Sequence, residues 1–201
     1  MRQNPERRTA LLDAAIEVLA REGSRGLTLR AVDAEAGVPP GTASNYFANR
    51  AQLLGQVMRR VHERLAPDEA ELARTLRRPP SRELVVRLMR ELMERVRRDR
   101  SSHLAMLEMR LEATRRPELQ AELTRAFGEE LEANVEFHLG AGLPGDRTSV
   151  VVLYLAMLGM ILDDLTVPGV LSPYGPDELI DEVVARILPA RTTRSRRRPS
   201  A

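Results

Sequence analysis

Residues 26–54 read GLTLRAVDAEAGVPPGTASNYFANRAQLL. Leu29, Val32 and Ala36 recur at helical spacing, which predicts a short helix from Thr28 to Ala36 with those three inward. Gly37-Val38-Pro39-Pro40-Gly41 then breaks it. Gly37 can adopt the left-handed conformation that ends a helix, and Val38 can plug the corner. Pro40 suits the first turn of a following helix, where its missing N–H has no partner to lose. That second helix runs roughly from Pro40 to Phe47. Ala43 and Phe47 are four apart, so they share one face and anchor it. The opposite face shows Thr42, Ser44, Asn45 and Tyr46, which are small or hydrogen-bonding residues suited to base edges, thymine methyls and phosphates. Asn49 is placed to cap a third helix with the apolar stripe Leu53, Leu54, Val57, Val61 and Leu65. Two short helices joined by a glycine turn and braced by a third have the arrangement of a helix-turn-helix, a motif that can enter the major groove.

Outward from this stretch, nearly every segment has helical periodicity. Arg8 to Arg21 places Leu12, Ala15, Ile16 and Leu19 on one face, and Gly23-Ser24-Arg25-Gly26 stops it. Pro67 is the expected joint between two units, followed by a polar, arginine-rich stretch to Pro80. Ser81 can cap a helix to about Arg100, Ser102 another through Leu111, and Pro117 can open a third. Val150 to Leu162 is apolar on every side, the mark of a helix buried in a bundle or across a subunit interface. Asp177 to Leu188 carries two rows, Leu179, Val183, Ile187 and Ile180, Val184, Leu188. No segment reads as a strand. The fold class is all-α: an amino-terminal three-helix helix-turn-helix domain over residues 7–66 and a larger carboxy-terminal helical bundle over residues 81–188. A basic, disordered tail is expected over residues 189–201.

Composition narrows the function. The chain has no cysteine, which excludes disulfides and thiolate chemistry. The amino terminus lacks a signal-peptide pattern. The apolar run 150–162 is shorter than the ~20 residues of a membrane-spanning helix, so a cytoplasmic protein without a membrane anchor is expected. The net charge of +2 conceals an asymmetry: +3 over residues 1–66, −7 over 67–185 and +6 over 186–201. A basic amino-terminal unit on an acidic body fits a polyanionic partner at that end. His62, His103 and His138 are far apart, and neither His62 nor His103 has a Glu three residues before it, so no carboxylate–histidine metal site is indicated. No phosphate loop or nucleophile elbow is present. The sequence therefore points away from an enzyme, and no cofactor is implied.

The stretch Gly26–Leu54 closely resembles the DNA-binding signature of the TetR family of transcriptional regulators, and the resemblance extends over residues 7–65. The shared features are the glycine–apolar–threonine start, Ala36-Gly37-Val38, Gly41-Thr42, the Tyr46-Phe47 pair, and a basic residue before Leu53-Leu54. The resemblance implies that Thr28 begins the first motif helix and meets a phosphate, and that Arg30 can reach a base edge. It places Pro40, Gly41, Thr42, Ser44 and Asn45 on the DNA-facing recognition helix. Tyr46 takes the position of a phosphate-contacting hydroxyl. Arg50 stands where a lysine is usual, on a phosphate at the start of the next helix. Pro39 departs from the pattern. It occupies the place of a capping serine, and its side chain cannot cap, at an expected local cost of ~1 kcal/mol.

The same resemblance implies that residues 81–188 form an effector-binding and dimerisation domain. Six of the eight methionines lie there, and flexible Met side chains can line an adaptable pocket. Met89, Met93, His103, Met106, Met109, Arg110, Tyr154 and Met157 are the candidate pocket residues for an unidentified small-molecule effector. Val150–Leu162 and Leu179–Leu188 are the expected homodimer surface, matching a palindromic double-stranded DNA operator. The implied function is a repressor released from its operator when the effector binds. The alternative is a DNA-binding regulator without an effector, controlled by a partner or acting as an activator.

Overall fold

The structure is a computed structural model and describes residues 4–188; the basic tail over residues 189–201 lies outside the described residues. Among the described residues the fold is all-α, without strands. The helices are α1 (Pro5–Gly26), α2 (Leu29–Glu35), α3 (Arg50–Leu65), α4 (Glu69–Thr75), α5 (Arg82–Arg98), α6 (Arg100–Ala113), α7 (Pro117–Gly140), α8 (Arg147–Thr166) and α9 (Pro176–Ile187). Tight 3₁₀ turns occupy Ala43–Asn45 and Ser172–Tyr174.

Caps explain most helix starts. Asn4 accepts from the N–H of Glu6 at 2.9 Å, with Pro5 in the first turn, so α1 begins earlier than its apolar stripe suggests. Thr28 caps α2 through Ala31 N at 3.0 Å, and Asn49 caps α3 through Gln52 N at 2.9 Å, as their side-chain chemistry predicts. Ser81 accepts from Leu84 N at 3.2 Å. For α6 the cap is Asp99 rather than Ser102: Asp99 accepts both the N–H (3.2 Å) and the hydroxyl (2.8 Å) of Ser102, because an ionised acceptor outcompetes a hydroxyl. The arginine-rich stretch after Pro67 is not wholly irregular. It contains α4, whose Thr75 is buried and donates to Glu91 at 2.9 Å.

Packing gathers the chain into two units. The first holds residues 4–68 and 94–128. Its core is Leu11, Ile16, Val18 and Leu19 of α1, Leu27, Val32, Ala43 and Phe47 of the motif, Leu53, Val57 and Val61 of α3, and Ala105 and Met109 of α6. The second holds residues 69–93 and 129–188, around Leu84, Val85, Met93, Leu153, Met157, Ile180, Val184 and Leu188. The division by packing differs from the division by sequence. α6 and the first half of α7 pack with the amino-terminal helices, because Ala105, Met109 and Ala113 join the α1–α3 core.

α8 is longer than its apolar run. At 20 residues it is long and apolar enough to cross a membrane by length and composition. Its Val150, Leu153, Met157, Met160 and Leu165 are buried in the second unit. Of the two rows on α9, Ile180, Val184 and Leu188 are buried, whereas Leu179, Val183 and Ile187 are half-buried.

Candidate nucleic-acid interface

α2 ends at the turn the sequence predicts. Gly37 has φ +61°, and its N–H donates to Ala34 O at 3.2 Å. The segment after the turn is tighter than expected. Instead of a regular helix from Pro40 to Phe47, the chain forms a 3₁₀ coil, with Thr42 N to Pro39 O at 3.1 Å, Asn45 N to Thr42 O at 3.0 Å and Tyr46 N to Ala43 O at 3.0 Å. Gly41, whose φ of +90° lies outside any right-handed helix, keeps a helix from starting at Pro40. A Cβ at Gly41 would meet nothing within 4 Å, so that side of the turn is open.

Ala43 and Phe47 are fully buried and hold the element to the first core. Pro40, Gly41, Ser44 and Asn45 are exposed, and Thr42 and Tyr46 are half-buried. Thr42 donates to Pro39 O at 2.6 Å and Ser44 to Gly41 O at 2.7 Å, so both hydroxyls brace the turn. Thr28 and Arg30, at the start of α2, are also exposed. Arg8 of α1 places its guanidinium 5.9 Å from the Tyr46 ring centroid and 5.8 Å from that of Phe47, and donates to the buried Gln56 Oε1. This fixes the Tyr46 ring through a cation–π contact.

Two further residues support the interface. Asp33 of α2 is buried, and its carboxylate accepts from Gly41 N at 2.7 Å and Ala43 N at 2.6 Å. Its position was a usable signal, since an acid four residues after Leu29 and three before Ala36 falls on the inward face of α2. The other is Glu112 of α6, which meets Arg50 at 3.3 Å and Arg116 at 2.6 Å. Burial pushes the Glu112 carboxyl up, but hydrogen bonds from Ser24 and Arg50 and the charges of Arg116 and Arg50 outweigh it and hold it below the usual range.

Arg50 itself is turned inward. Its guanidinium donates to Leu27 O at 3.2 Å, to Ser24 Oγ at 2.6 Å and to Ser24 O, besides pairing with Glu112. The first-turn arginine of α3 thus ties the end of α1 and the start of α2 to α6. Glu108, one turn earlier in α6, accepts from Ser24 N at 3.1 Å.

The eight candidate pocket residues divide between the two units. His103, Met106, Met109 and Arg110 lie on α6 in the first; Met89, Met93, Tyr154 and Met157 lie in the second. Met109, Met93 and Met157 are buried core residues. His103 Nδ1 lies 3.0 Å from Asp99 O, and the Arg110 guanidinium sits 4.3 Å from the Phe127 ring centroid.

Two family profiles match the chain: "Bacterial regulatory proteins, tetR family" over residues 11–57 and "Tetracyclin repressor-like, C-terminal domain" over residues 80–190. Among solved structures, a TetR-family member from Streptomyces coelicolor A3 is 30% identical, with 92% of this chain and 100% of that chain covered and a TM-score of 0.68. The multidrug binding protein EbrR, solved in complex with ethidium, is 31% identical, covering 92% of this chain and 100% of that chain with a TM-score of 0.67. The HTH-type transcriptional regulator BetI of Rhizobium meliloti is 33% identical over 78 residues, 39% of this chain; the match spans only 38% of that relative's length.

Proposed function

The chain belongs to the TetR family of DNA-binding transcriptional regulators, and from that premise we propose that it is a cytoplasmic repressor that binds a palindromic operator as a homodimer and is released by a small-molecule effector. The observation that carries the DNA-binding part is the exposure of Ser44 and Asn45, with the half-buried Tyr46 beside them, on an element anchored by the buried Ala43 and Phe47. Such side chains suit base edges and phosphates in the major groove. Thr28 and Arg30 flank them, and Arg50 braces the motif.

The dimer reading rests on α8, where Val152, Leu155 and Leu162 form an exposed apolar row beside the half-buried row of α9. An apolar stripe of this kind is covered in a stable protein, and a second copy supplies the cover a two-fold operator requires. The effector reading is supported by EbrR, which is solved with ethidium and with malachite green. In this chain the half-buried His103, Met106 and Arg110 of α6 are the contacts we favour for an effector, because α6 is joined to the motif through Glu108 and Glu112. Operator affinity then falls by the coupling free energy, typically ~1–3 kcal/mol.

Selection of binding sites from random duplex DNA tests this at one fixed salt concentration, with wild type beside Asn45→Ala and Tyr46→Ala. A two-fold palindrome should emerge, Tyr46→Ala should weaken binding to all duplexes, and Asn45→Ala should relax the sequence preference. No enrichment by wild type overturns the repressor reading. A dye such as ethidium that raises thermal stability but binds equally well with and without operator rules out release by that effector.

A further inference from the structure

The recognition element begins where its own sequence offers no cap. Pro39 has no side-chain acceptor, and Thr42 makes no side-chain cap hydrogen bond, its hydroxyl being spent on Pro39 O. A 3₁₀ coil this short has little stability of its own. Its conformation therefore has to be imposed from outside, and the group that reaches it is the carboxylate of Asp33. Oδ2 takes the N–H of Gly41 at 2.7 Å and Oδ1 that of Ala43 at 2.6 Å. Asp33 is 2% exposed. A carboxylate so deep is tolerated only where donors replace its lost water, and among the described residues these two N–H groups are its side chain's hydrogen-bond partners.

We propose that Asp33 is a positioning residue for DNA recognition: a buried anionic clamp, supplied by α2, that sets the turn presenting Ser44, Asn45 and Tyr46 and replaces the cap Pro39 cannot provide. Two oxygens on two N–H groups fix both the height and the rotation of the coil relative to α2, which one hydrogen bond would not. The clamp also holds the unusual backbone of Gly41, the residue at which the coil departs from a helix. Charge matters as well as shape. N–H groups at a helix start, which have no partner within the helix, favour an anion. An amide of the same size would offer one acceptor and turn its NH₂ against the second N–H. The proposal rests on the DNA-binding reading above.

Wild type, Asp33→Asn, Asp33→Ala and the double variant Asp33→Ala/Pro39→Ser should be compared on the duplex selected by wild type and on a random duplex, at one salt concentration. Amide exchange over residues 39–47 is followed in parallel. Asp33→Asn and Asp33→Ala should each lose roughly tenfold in preference for the selected duplex, with random-duplex affinity unchanged. Their faster amide exchange should be confined to residues 39–47. Serine at position 39 should restore at least part of the preference to Asp33→Ala, because it returns an acceptor to the cap. Wild-type preference in Asp33→Asn overturns the proposal. So does an equal loss on both duplexes, exchange that rises evenly across α1, α2 and α3, or failure of both single variants to fold, since Asp33 would then only hold the domain together. If wild type selects no duplex, the DNA-binding reading itself fails, and this inference fails with it.

Discussion

Arg64 grips Asp99 with both arms of its guanidinium, Nε to Oδ2 at 3.0 Å and Nη2 to Oδ1 at 2.8 Å. Asp99 is at the same time the cap of α6. At the other end of α3, Arg50 meets Glu112 near the last turn of α6. The two helices are therefore antiparallel and fastened at both ends by an arginine–carboxylate pair. α3 carries the motif, so a displacement of α6 reaches the DNA-reading segment through both fastenings, with little slack in either.

The first fastening has a pH signature. Burial pushes the Asp99 carboxyl up, but its hydrogen bonds to Arg64 and Ser102 and the Arg64 charge prevail and leave it below the usual Asp range. A group held lower in the folded state than in the unfolded chain adds stability above the unfolded pKa, ~3.9 for Asp. That stability is lost as pH falls through the lower, folded value. Asp99→Ala should cost about 1–2 kcal/mol at pH 7, from the cap and the pair together. In urea unfolding the gap to wild type should be unchanged between pH 7 and pH 5 and narrow only below about pH 4. A gap already closing by pH 5 would contradict the assignment.

Arg50→Ala separates a brace from a phosphate contact. Losing bonds to Ser24, Leu27 and Glu112 should destabilise the protein by about 1–3 kcal/mol. A residue that neutralises a phosphate also contributes about one unit to the slope of log affinity against log salt. The inward geometry predicts that Arg50→Ala lowers stability and operator affinity and leaves that slope unchanged. A slope reduced by one would return Arg50 to the DNA.

Local chemistry made much of this legible in the sequence, and long-range chemistry did not. The stripe of α1, the caps Thr28 and Asn49, the turn at Gly37 and the anchors Ala43 and Phe47 all follow from residue type and spacing of a few positions. The inward contacts of Arg50 are not legible in the sequence, because a long side chain can swing inward or outward from the same backbone position, and its acceptor, Glu112, is 62 residues away. Asp33 was missed for a different reason. Its inward position was visible in the heptad-like spacing of α2, but the donors that make a buried acid tolerable appear only once Gly41 folds back over it. α6 was placed in the body by sequence order, yet its small residue Ala105 and its Met109 let it pack against α1.

The exposed row on α8 predicts the assembly. Leu155 is 58% exposed at its centre. An arginine there is accommodated in a monomer, where the position already faces solvent, and places two like charges close together across a two-fold contact. Leu155→Arg should leave helix content and thermal unfolding of the protomer near wild type. Sedimentation should shift from dimer to monomer at micromolar concentration, and operator affinity should fall at least tenfold because two half-sites are no longer engaged by one particle. A dimer that persists would place the interface elsewhere.

Gly23 and Gly37 both have positive φ, +69° and +61°, yet they should respond differently to alanine. At Gly37 an added Cβ meets nothing within 4 Å, so the cost is the left-handed backbone alone, about 1 kcal/mol. Asparagine, which tolerates that region, should cost less. At Gly23 the backbone cost is higher, because φ +69° with ψ −176° falls where essentially only glycine is found, and the Cβ would in addition stand 3.1 Å from Glu108 Oε2. That oxygen accepts the N–H of Ser24, the residue whose carbonyl and hydroxyl hold Arg50. To make room, Glu108 must move, which leaves the buried Ser24 N–H short of its partner and loosens the junction of α1, α3 and α6. Gly23→Ala should therefore lose about 1–2 kcal/mol more than Gly37→Ala in denaturant unfolding. Truncating Glu108 as well, in Gly23→Ala/Glu108→Ala, should add less than the two single losses summed. Equal losses for the two glycines, or strict additivity in the double variant, would mean that Glu108 does not secure this junction.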